Sequence, residues 1–343
     1  MTPRHRSTID DVAKAAGVSA ATVSRALRDL PNVAPATRRR IARIASDLEY
    51  APHPQASRLA SGKTMTVGLV APLFGLWYAS QVVAGAETVL SGHGYDLLVH
   101  AVDTADNRSR LLRHAASLRG RIDGLILVDF FATPEHADRL RQVGRPVVTI
   151  GEKIPSFSSV TIDNERGAAM AARHLIELGH QCIGLITGPL AHGHPSPVPG
   201  ARAAGFAAAL AAAGVVHDPH LTRDGGFTVA GGAAAVEQLL AMAVRPTAVF
   251  CLSDEMAFGA IGRAQQLGYR VPDDISIVGF DDHDVAESFG LSTVHQPVRA
   301  MGSAATEILL QAIATPGAPP VHRAVEVALM RRRSTGPPAP SPA

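Results

Sequence analysis

Cysteine is nearly absent: the 343 residues contain two, Cys182 and Cys251. Two thiols by themselves build neither a disulfide framework nor a zinc site. Both lie in apolar runs (CIGLI and AVFCL), where a reduced, buried thiol behaves as a small hydrophobe. Aromatic residues are scarce at 4%, with one tryptophan, and lysine occurs only at 14, 63 and 153. No segment approaches the roughly 18 consecutive apolar residues of a membrane span. The nearest, Gly200–Val216, is mostly alanine and contains Arg202. Residues 1–14 are polar and charged and lack the apolar stretch of a secretory signal, so a cytoplasmic protein is expected.

The signatures of several enzyme classes are missing too. There is no GxSxG nucleophile elbow and no GxGxxG after the first strand candidate. Ser61-Gly62-Lys63-Thr64 looks like the end of a phosphate-binding loop, but Ser57 stands where that loop needs glycine, and the strand follows instead of preceding it. Asp281, Asp282, His283 and Asp284 could imitate an acid/base or metal cluster, and His192 and His194 could line a pocket or bind metal. Adjacent like charges in a loop are more often solvated, and no further Cys or His completes a site with the two loop histidines. No catalytic residue, metal site or cofactor is expected.

What is present is a chain 46% apolar, long enough for two or three domains. Its net charge of +2 is unevenly placed: residues 1–63 hold 11 basic and 5 acidic side chains, and the remainder is mildly acidic. A basic head on an acidic body points to a polyanionic partner for the head alone.

The head reads as short helices. Thr8 can cap the first, with Ile9, Val12, Ala13 and Ala16 on one face, and Gly17 ends it. Ser19 caps the second, whose buried stripe is Val23, Ala26 and Leu27. Pro35 suits the start of a third, carrying Ile41, Ile44, Ala45 and Leu48. Two helices joined by a short glycine-containing turn make a helix-turn-helix. The stripe leaves Ala20, Ala21, Thr22, Ser24 and Arg25 available to DNA. Small residues let the helix sit deep in the major groove, Arg25 can bridge guanine, and Ser19, Thr22 and Ser24 suit phosphates.

From Thr64 onward strands and helices alternate. Val67–Val70, Leu97–Ala101, Leu125–Val128, Val147–Ile150, Ile183–Ile186, Ala248–Leu252 and Ile275–Phe280 are mostly continuous apolar runs, as in parallel strands covered on both faces. Amphipathic segments such as Ser80–Ser91, Asn164–Leu178, Val229–Ala243 and Asp254–Leu267 separate them. This rhythm predicts a doubly wound α/β body of two lobes. Ligands of such sheets sit beyond the carboxyl ends of the strands. There lie Phe74, Trp77 and Tyr78, then Ser253-Asp254-Glu255 and Asp281-Asp282, with Arg202 near a helix start. An arginine, an acid and aromatic faces suit a polyhydroxylated or heterocyclic ligand. Taken singly, each has an ordinary structural role open to it: a helix cap for Asp281, a surface ion pair for Arg202, core for Trp77.

The head resembles the lactose-repressor (LacI/GalR) family of bacterial transcription regulators. The matching residues are Ile9-Asp10-Asp11-Val12-Ala13, Ala16-Gly17-Val18-Ser19, Thr22-Val23-Ser24-Arg25, Val33 through Thr37-Arg38, and Leu48-x-Tyr50-x-Pro52, followed by Ala56, Leu59 and Gly62-Lys63-Thr64. The resemblance continues to about Arg333. It implies an all-α helix-turn-helix head (1–50), a hinge segment (51–63) that folds on operator DNA, and a periplasmic-binding-protein-like sensor. One lobe would comprise 64–164 and 295–322, the other 165–294 and 323–333, with 334–343 a disordered tail. Leu59 takes the place of the leucine that wedges into the minor groove, with Ala56 one turn before it; Ser57 stands where an arginine is frequent. Arg202 matches the family's ligand-anchoring arginine, Asp281 its ligand-binding aspartate in VGFDD, and Phe227 its aromatic stacking position. Ser253 occupies a place often held by asparagine, and Phe74, Trp77 and Tyr78 the first pocket loop.

Two departures matter. Leu73, Leu76 and Trp77 replace polar residues common in that first loop, and Gly151 stands where some sugar-binding members carry an acid. A first lobe less polar than usual is therefore expected. The implied function is a dimeric repressor of a palindromic operator, controlled by a small metabolite such as a sugar or glycoside. A solute-binding protein with the same body would need an export signal and no basic head.

Overall fold

The computed structural model describes residues 7–27, 31–50, 63–71, 77–102, 105–130, 134–189 and 197–339. The chain divides into two compact units, 1–65 and 66–343.

The first unit is three helices: α1 (Ile9–Ala16), α2 (Ala20–Leu27) and α3 (Pro35–Asp47). Thr8 and Asp11 cap α1 reciprocally, each accepting from the other's backbone N–H, and Gly17 ends it in the left-handed conformation at φ +63°. Ser19 caps α2 by accepting from Thr22 N. Val12, Ala13, Ala16, Val23, Ala26, Ile41 and Ala45 form a core of mainly small side chains. Such a core lets three short helices, marginal alone, approach closely enough to hold one another.

The second unit holds two six-stranded sheets. Strands β1 (Thr66–Ala71), β2 (Asp96–Ala101), β3 (Gly124–Val128), β4 (Val147–Ile150), β5 (Ser158–Ile162) and β11 (His322–Val325) form the first, in the order β11-β5-β4-β3-β1-β2. Every pairing in it is parallel. The second sheet has the order β12-β10-β9-β8-β6-β7: β6 is Ile183–Thr187, β7 Thr222–Asp224, β8 Ala248–Cys251, β9 Ser276–Asp281, β10 Ser292–His295 and β12 Ala328–Met330. Only β10–β12 in it is antiparallel. The central strands β3, β4, β6, β8 and β9 are buried throughout, as their apolar runs require.

Helices α4 (Trp77–Gly92), α5 (Ala105–Arg113), α6 (Pro134–Arg141) and α12 (Val298–Ala314) accompany the first sheet. With the second go α7 (Asn164–Glu177), α8 (Pro197–Ala212), α9 (Val229–Leu240), α10 (Asp254–Gln266) and the short α11 (Ala286–Phe289). The chain passes between the lobes three times: from β5 to α7, from β10 to α12, and from β11 to β12. Gly205 allows α8 to lie directly on α7, because a Cβ there would strike the Glu165 carbonyl.

Three expectations need correction. Residues 323–325, assigned to the second lobe, extend β11 in the first sheet. Ser334–Gly336, expected as disordered tail, are packed: Ser334 O accepts from Ile277 N, Ser334 Oγ donates to Ile277 O, and Gly336 O meets His180 Nε2 at 2.9 Å. Backbone pairing and buried hydroxyls hold a Pro/Ser-rich segment that no apolar pattern announced. Finally, β5, β7, β10, β11 and β12 had no strand candidate. β5, β7, β10 and β11 are short and largely polar (SSVTI, TRD, STVH, HRAV), with hydrogen bonds such as Ser159 Oγ to His322 Nδ1 (2.9 Å) satisfying their side chains, and β12 (ALM) is apolar but only three residues long.

Candidate DNA-contact helix and effector cleft

On α2, Ala21 and Arg25 are exposed, whereas Ala20, Thr22 and Ser24 are half-buried and Val23 and Ala26 face inward. Ser19, exposed at the N-cap, has its hydroxyl 2.9 Å from that of Thr22. The helix thus presents small residues and one long cation to solvent at its first two turns. Ala56 and Leu59 lie outside the described residues, as do His192, His194 and Phe74.

In the second unit the sequence-predicted residues gather where the strands of both sheets end. Arg202, on α8, is 4% exposed. Its guanidinium lies 3.6 Å over the Phe280 ring, donates from Nε to Asn164 Oδ1 (2.8 Å) and from Nη1 to Leu252 O (2.5 Å), and stands 3.7 Å from Asp281 Oδ1. Asp281, the last residue of β9, is 7% exposed and held at φ +127°. Its Oδ1 accepts from Gln296 Nε2 at 2.5 Å. Burial pushes its carboxyl well above the ordinary range, opposed by Arg202 and reinforced by Asp254.

Asn164 and Gln296 were not singled out from sequence. Both sit on crossovers between the lobes, Asn164 on β5-to-α7 and Gln296 on β10-to-α12. Each member of the Arg202–Asp281 pair is therefore bonded to a residue at a connection between the lobes. Positions adjoining strand ends were the available signal, but a polar residue there is ordinary.

Asp129 was missed as well. It follows β3 in the left-handed conformation at φ +44°, and its N–H continues the ladder to Ile150 O. Burial raises its carboxyl to about 6, with Arg202 drawing it down and Glu152 pushing it up. Tyr78 shares this neighbourhood: burial raises its hydroxyl, and Asp129, Arg202 and Asp281 all act on it. The expected loss of polarity in the first lobe is thereby corrected, since Asp129 supplies a carboxyl beside Gly151. A cavity of about 380 Å³ adjoins this cluster, lined by Gly151, Asn164, Val198 and Ala201 among others.

The remaining residues divide. Phe227, at φ +57°, lays its ring on Gly188 just past β6, at the ends of the strands. Ser253 is buried, and its Oγ caps α10 by accepting from Met256 N (3.4 Å). Trp77 is turned elsewhere than expected for a ligand platform. Its indole stacks on His283 (4.8 Å between centroids, 29°) and donates from Nε1 to Asp284 Oδ2 at 3.0 Å. Gln81 Nε2 donates to the same oxygen (3.2 Å), and Trp77 N donates to Glu255 Oε1 (3.3 Å). Trp77 thus joins the first lobe to the loop after β9. Asp282 is bound by Arg332 (2.7 Å) and His295 (3.0 Å), and Asp254 by Thr293 Oγ1 (2.6 Å) and His283 N (2.8 Å). The acidic run therefore disperses into separate structural bonds. No group of three His, Cys, Asp or Glu side chains suited to a metal occurs among the described residues.

The comparisons with known proteins agree with this layout. Residues 8–53 match the model of bacterial regulatory proteins of the lacI family, and residues 172–335 match a periplasmic-binding-protein-like domain. The HTH-type transcriptional repressor PurR of Aliivibrio salmonicida (strain LFI1238) is 35% identical over 314 residues, 90% of this chain and 92% of that protein. The chain belongs to the LacI family. Among solved structures, a lac repressor dimer bound to operator and the anti-inducer ONPF superposes with a TM-score of 0.85 at 27% identity, covering 97% of this chain and 100% of the other. A transcriptional regulator CelR–cellobiose complex has a TM-score of 0.70 at 33% identity, covering 96% and 100%. This LacI-family chain is a ligand-responsive transcriptional repressor, not an enzyme. Among its described residues no helix is long and apolar enough to cross a membrane.

Proposed function

We propose that this protein acts in the cytoplasm as a homodimer on a palindromic operator and that a small, sugar-like metabolite in the cleft between its lobes controls it. The observation that carries the reading is the buried Arg202–Asp281 pair, stacked on Phe280 and anchored to two crossovers. A guanidinium and a carboxyl side by side offer a donor and an acceptor to one diol edge, and the rings of Phe227 and Tyr78 supply apolar faces. The similarity to the CelR–cellobiose complex supports a carbohydrate as the ligand class.

Ser19, Ala20, Ala21, Thr22, Ser24 and Arg25 are the proposed DNA contacts, with Ala56 and Leu59 assigned from the family resemblance alone. Two copies place two such helices on half-sites about one helical turn apart. Phe289, 53% exposed and resting on Phe258, together with Val285, offers an apolar patch to a second copy.

The mechanism follows from the anchoring. An effector that engages Arg202 and Asp281 pulls on Asn164 and Gln296, so ligand binding and lobe angle are coupled. Such coupling is typically ~1–3 kcal/mol and is reciprocal between effector and operator. A thermal-shift screen over sugars, glycosides, nucleobases and amino acids tests the reading. A ligand at 100 times its Kd stabilises by about 2.7 kcal/mol. The expected result is a hit among carbohydrates that disappears in Arg202→Ala and Asp281→Ala; a hit that survives both removes the pocket assignment.

A further inference from the structure

A buried carboxyl of the first lobe stands against Gly151, which lines the cleft, and its position is set by a missing side chain. Gly151 follows β4 at φ +94°, and the space its Cβ would occupy is taken by Asp129 Oδ1. The end of the adjacent strand β3 thus brings an acid to the place that a side chain at 151 would fill. Asp129 Oδ1 is closed off from solvent and has no hydrogen-bond partner among the described residues. A buried acceptor without a donor is costly, and native proteins retain one where a ligand or a function requires it. Glycine at 151 and the left-handed backbone at 129 are both needed for this arrangement, so the carboxyl is built in by two local features.

The charges around it are unequal. Arg202 is a single guanidinium, and Asp281, Asp129 and Asp254 all act on it electrostatically. An anionic ligand would add negative charge to a buried site already richer in acids than in bases. A ligand bearing hydroxyl or N–H groups, once closure brings it to this oxygen, would instead supply the missing donor.

We propose that Asp129 is a specificity-determining residue: with Asp281 it faces the effector from opposite lobes and selects an uncharged or cationic ligand rich in hydroxyl or N–H donors, against phosphorylated or carboxylated analogues. The inference rests on the reading of this cleft as the effector site. It also assigns Asp129 a part in closure, because a ligand donating to both carboxyls spans the two lobes. Burial that holds Asp129 near 6 leaves it ionised, and so an acceptor only, at pH 7.5.

Calorimetry on the full chain with matched probes is the test. The pairs are ribose and ribose 5-phosphate, cellobiose and its aldonic acid, and adenosine and its 5′-monophosphate. The first two pairs represent carbohydrates and the third heterocycles, so the pair that responds identifies the source of the donors. At least one neutral probe is expected to bind at least tenfold more tightly than its anionic counterpart. Asp129→Asn is expected to weaken that neutral probe at least tenfold and to narrow the gap within the pair. An anionic member binding as tightly as its neutral partner overturns the proposal, as does an Asp129→Asn protein with wild-type affinity for both. No binding by any neutral probe at 10-millimolar order also overturns it. Enrichment of DNA duplexes from a random pool is measured in parallel: sequence-specific binding that persists leaves the repressor reading standing while the specificity claim falls. Asp129→Ser, with its own thermal unfolding curve, repeats the test if the asparagine variant does not fold.

Discussion

Two arginines mark the difference between the head and the cleft. Arg25 projects from α2 into solvent, its charge fully hydrated until a groove replaces the water. Arg202 is buried and stacked on Phe280, with Nε bonded to Asn164 and Nη1 to Leu252 O beside Asp281. The head keeps its charge outside an aliphatic core and can lose one without unfolding. The cleft holds charge inside, where each group sets the state of its neighbours. Recognition of a large polyanion needs the first arrangement, and recognition of a small ligand needs the second.

Removing one cation from each region breaks this comparison most directly. Arg202→Ala leaves Asp281 and Asp129 buried without their shared counter-charge, and a loss of roughly 3–5 kcal/mol in unfolding free energy is expected. Chemical denaturation at pH 7.5 measures it, and a loss below the noise would show that the cleft is as tolerant as the head. A second large effect is expected from cutting the chain after Arg333. Removing Ser334–Gly336 would take partners from Ile277, Ser276, Ser292, His174 and His180, a cost of several kcal/mol at ~1 kcal/mol per lost bond. Burial lowers His174 and His180, so their neutral forms belong to the folded state, and stability is expected to fall as pH drops below the ordinary histidine value of 6.5. His180→Gln should flatten that slope.

Asp129→Asn sharpens the comparison in the opposite direction. The raised carboxyl means that the folded state binds its proton more tightly than the unfolded state. Ionisation therefore destabilises the fold increasingly as pH rises from 3.8 to about 6, and fully above that. The variant is expected to gain ~3 kcal/mol above pH 7 and nothing below pH 4, measured by thermal unfolding across pH. The gain in stability would accompany the loss of effector discrimination, as at functional sites generally. On the head, Arg25→Ala should leave stability within about 0.5 kcal/mol. It should cost ~1–3 kcal/mol in operator affinity, concentrated at one base pair, as read by an electrophoretic shift with single-site operator variants. The smallest effect belongs to the mouth of the cleft. Asp284→Ala frees Trp77 Nε1 and Gln81, a change of ~1 kcal/mol. Because Trp77 is the only tryptophan, its emission should shift to the red without a change in far-ultraviolet circular dichroism.

The head was legible from the chain because its determinants are local. Thr8, Gly17, Ser19 and Pro35 act within one helical turn, and Val12, Val23 and Ile41 recur at helical spacing. The central strands were legible for a similar reason, since burial on both faces demands continuous apolar runs. The edge strands were not: β5 hides two serines and β11 is largely exposed, so neither hydropathy nor alternation marks them. Arg202 and Asp281 were singled out by their places near a helix start and a strand end, Phe227 through resemblance to a family, and all three stand around the carboxyl ends of the second sheet. Trp77 could not be oriented from sequence, because its partners lie about 180 to 200 residues away.

The sequence by itself determined a helix-turn-helix ahead of two parallel sheets, through caps, periodicity and apolar runs that need no distant partner. Folding in three dimensions was needed to set Asp129 in the place of a side chain missing at Gly151 and to bond Asn164 and Gln296 to the Arg202–Asp281 pair. Those relations join strand ends and connections far apart in the chain, and burial, which sets the charge state of every group there, exists only once the chain has folded.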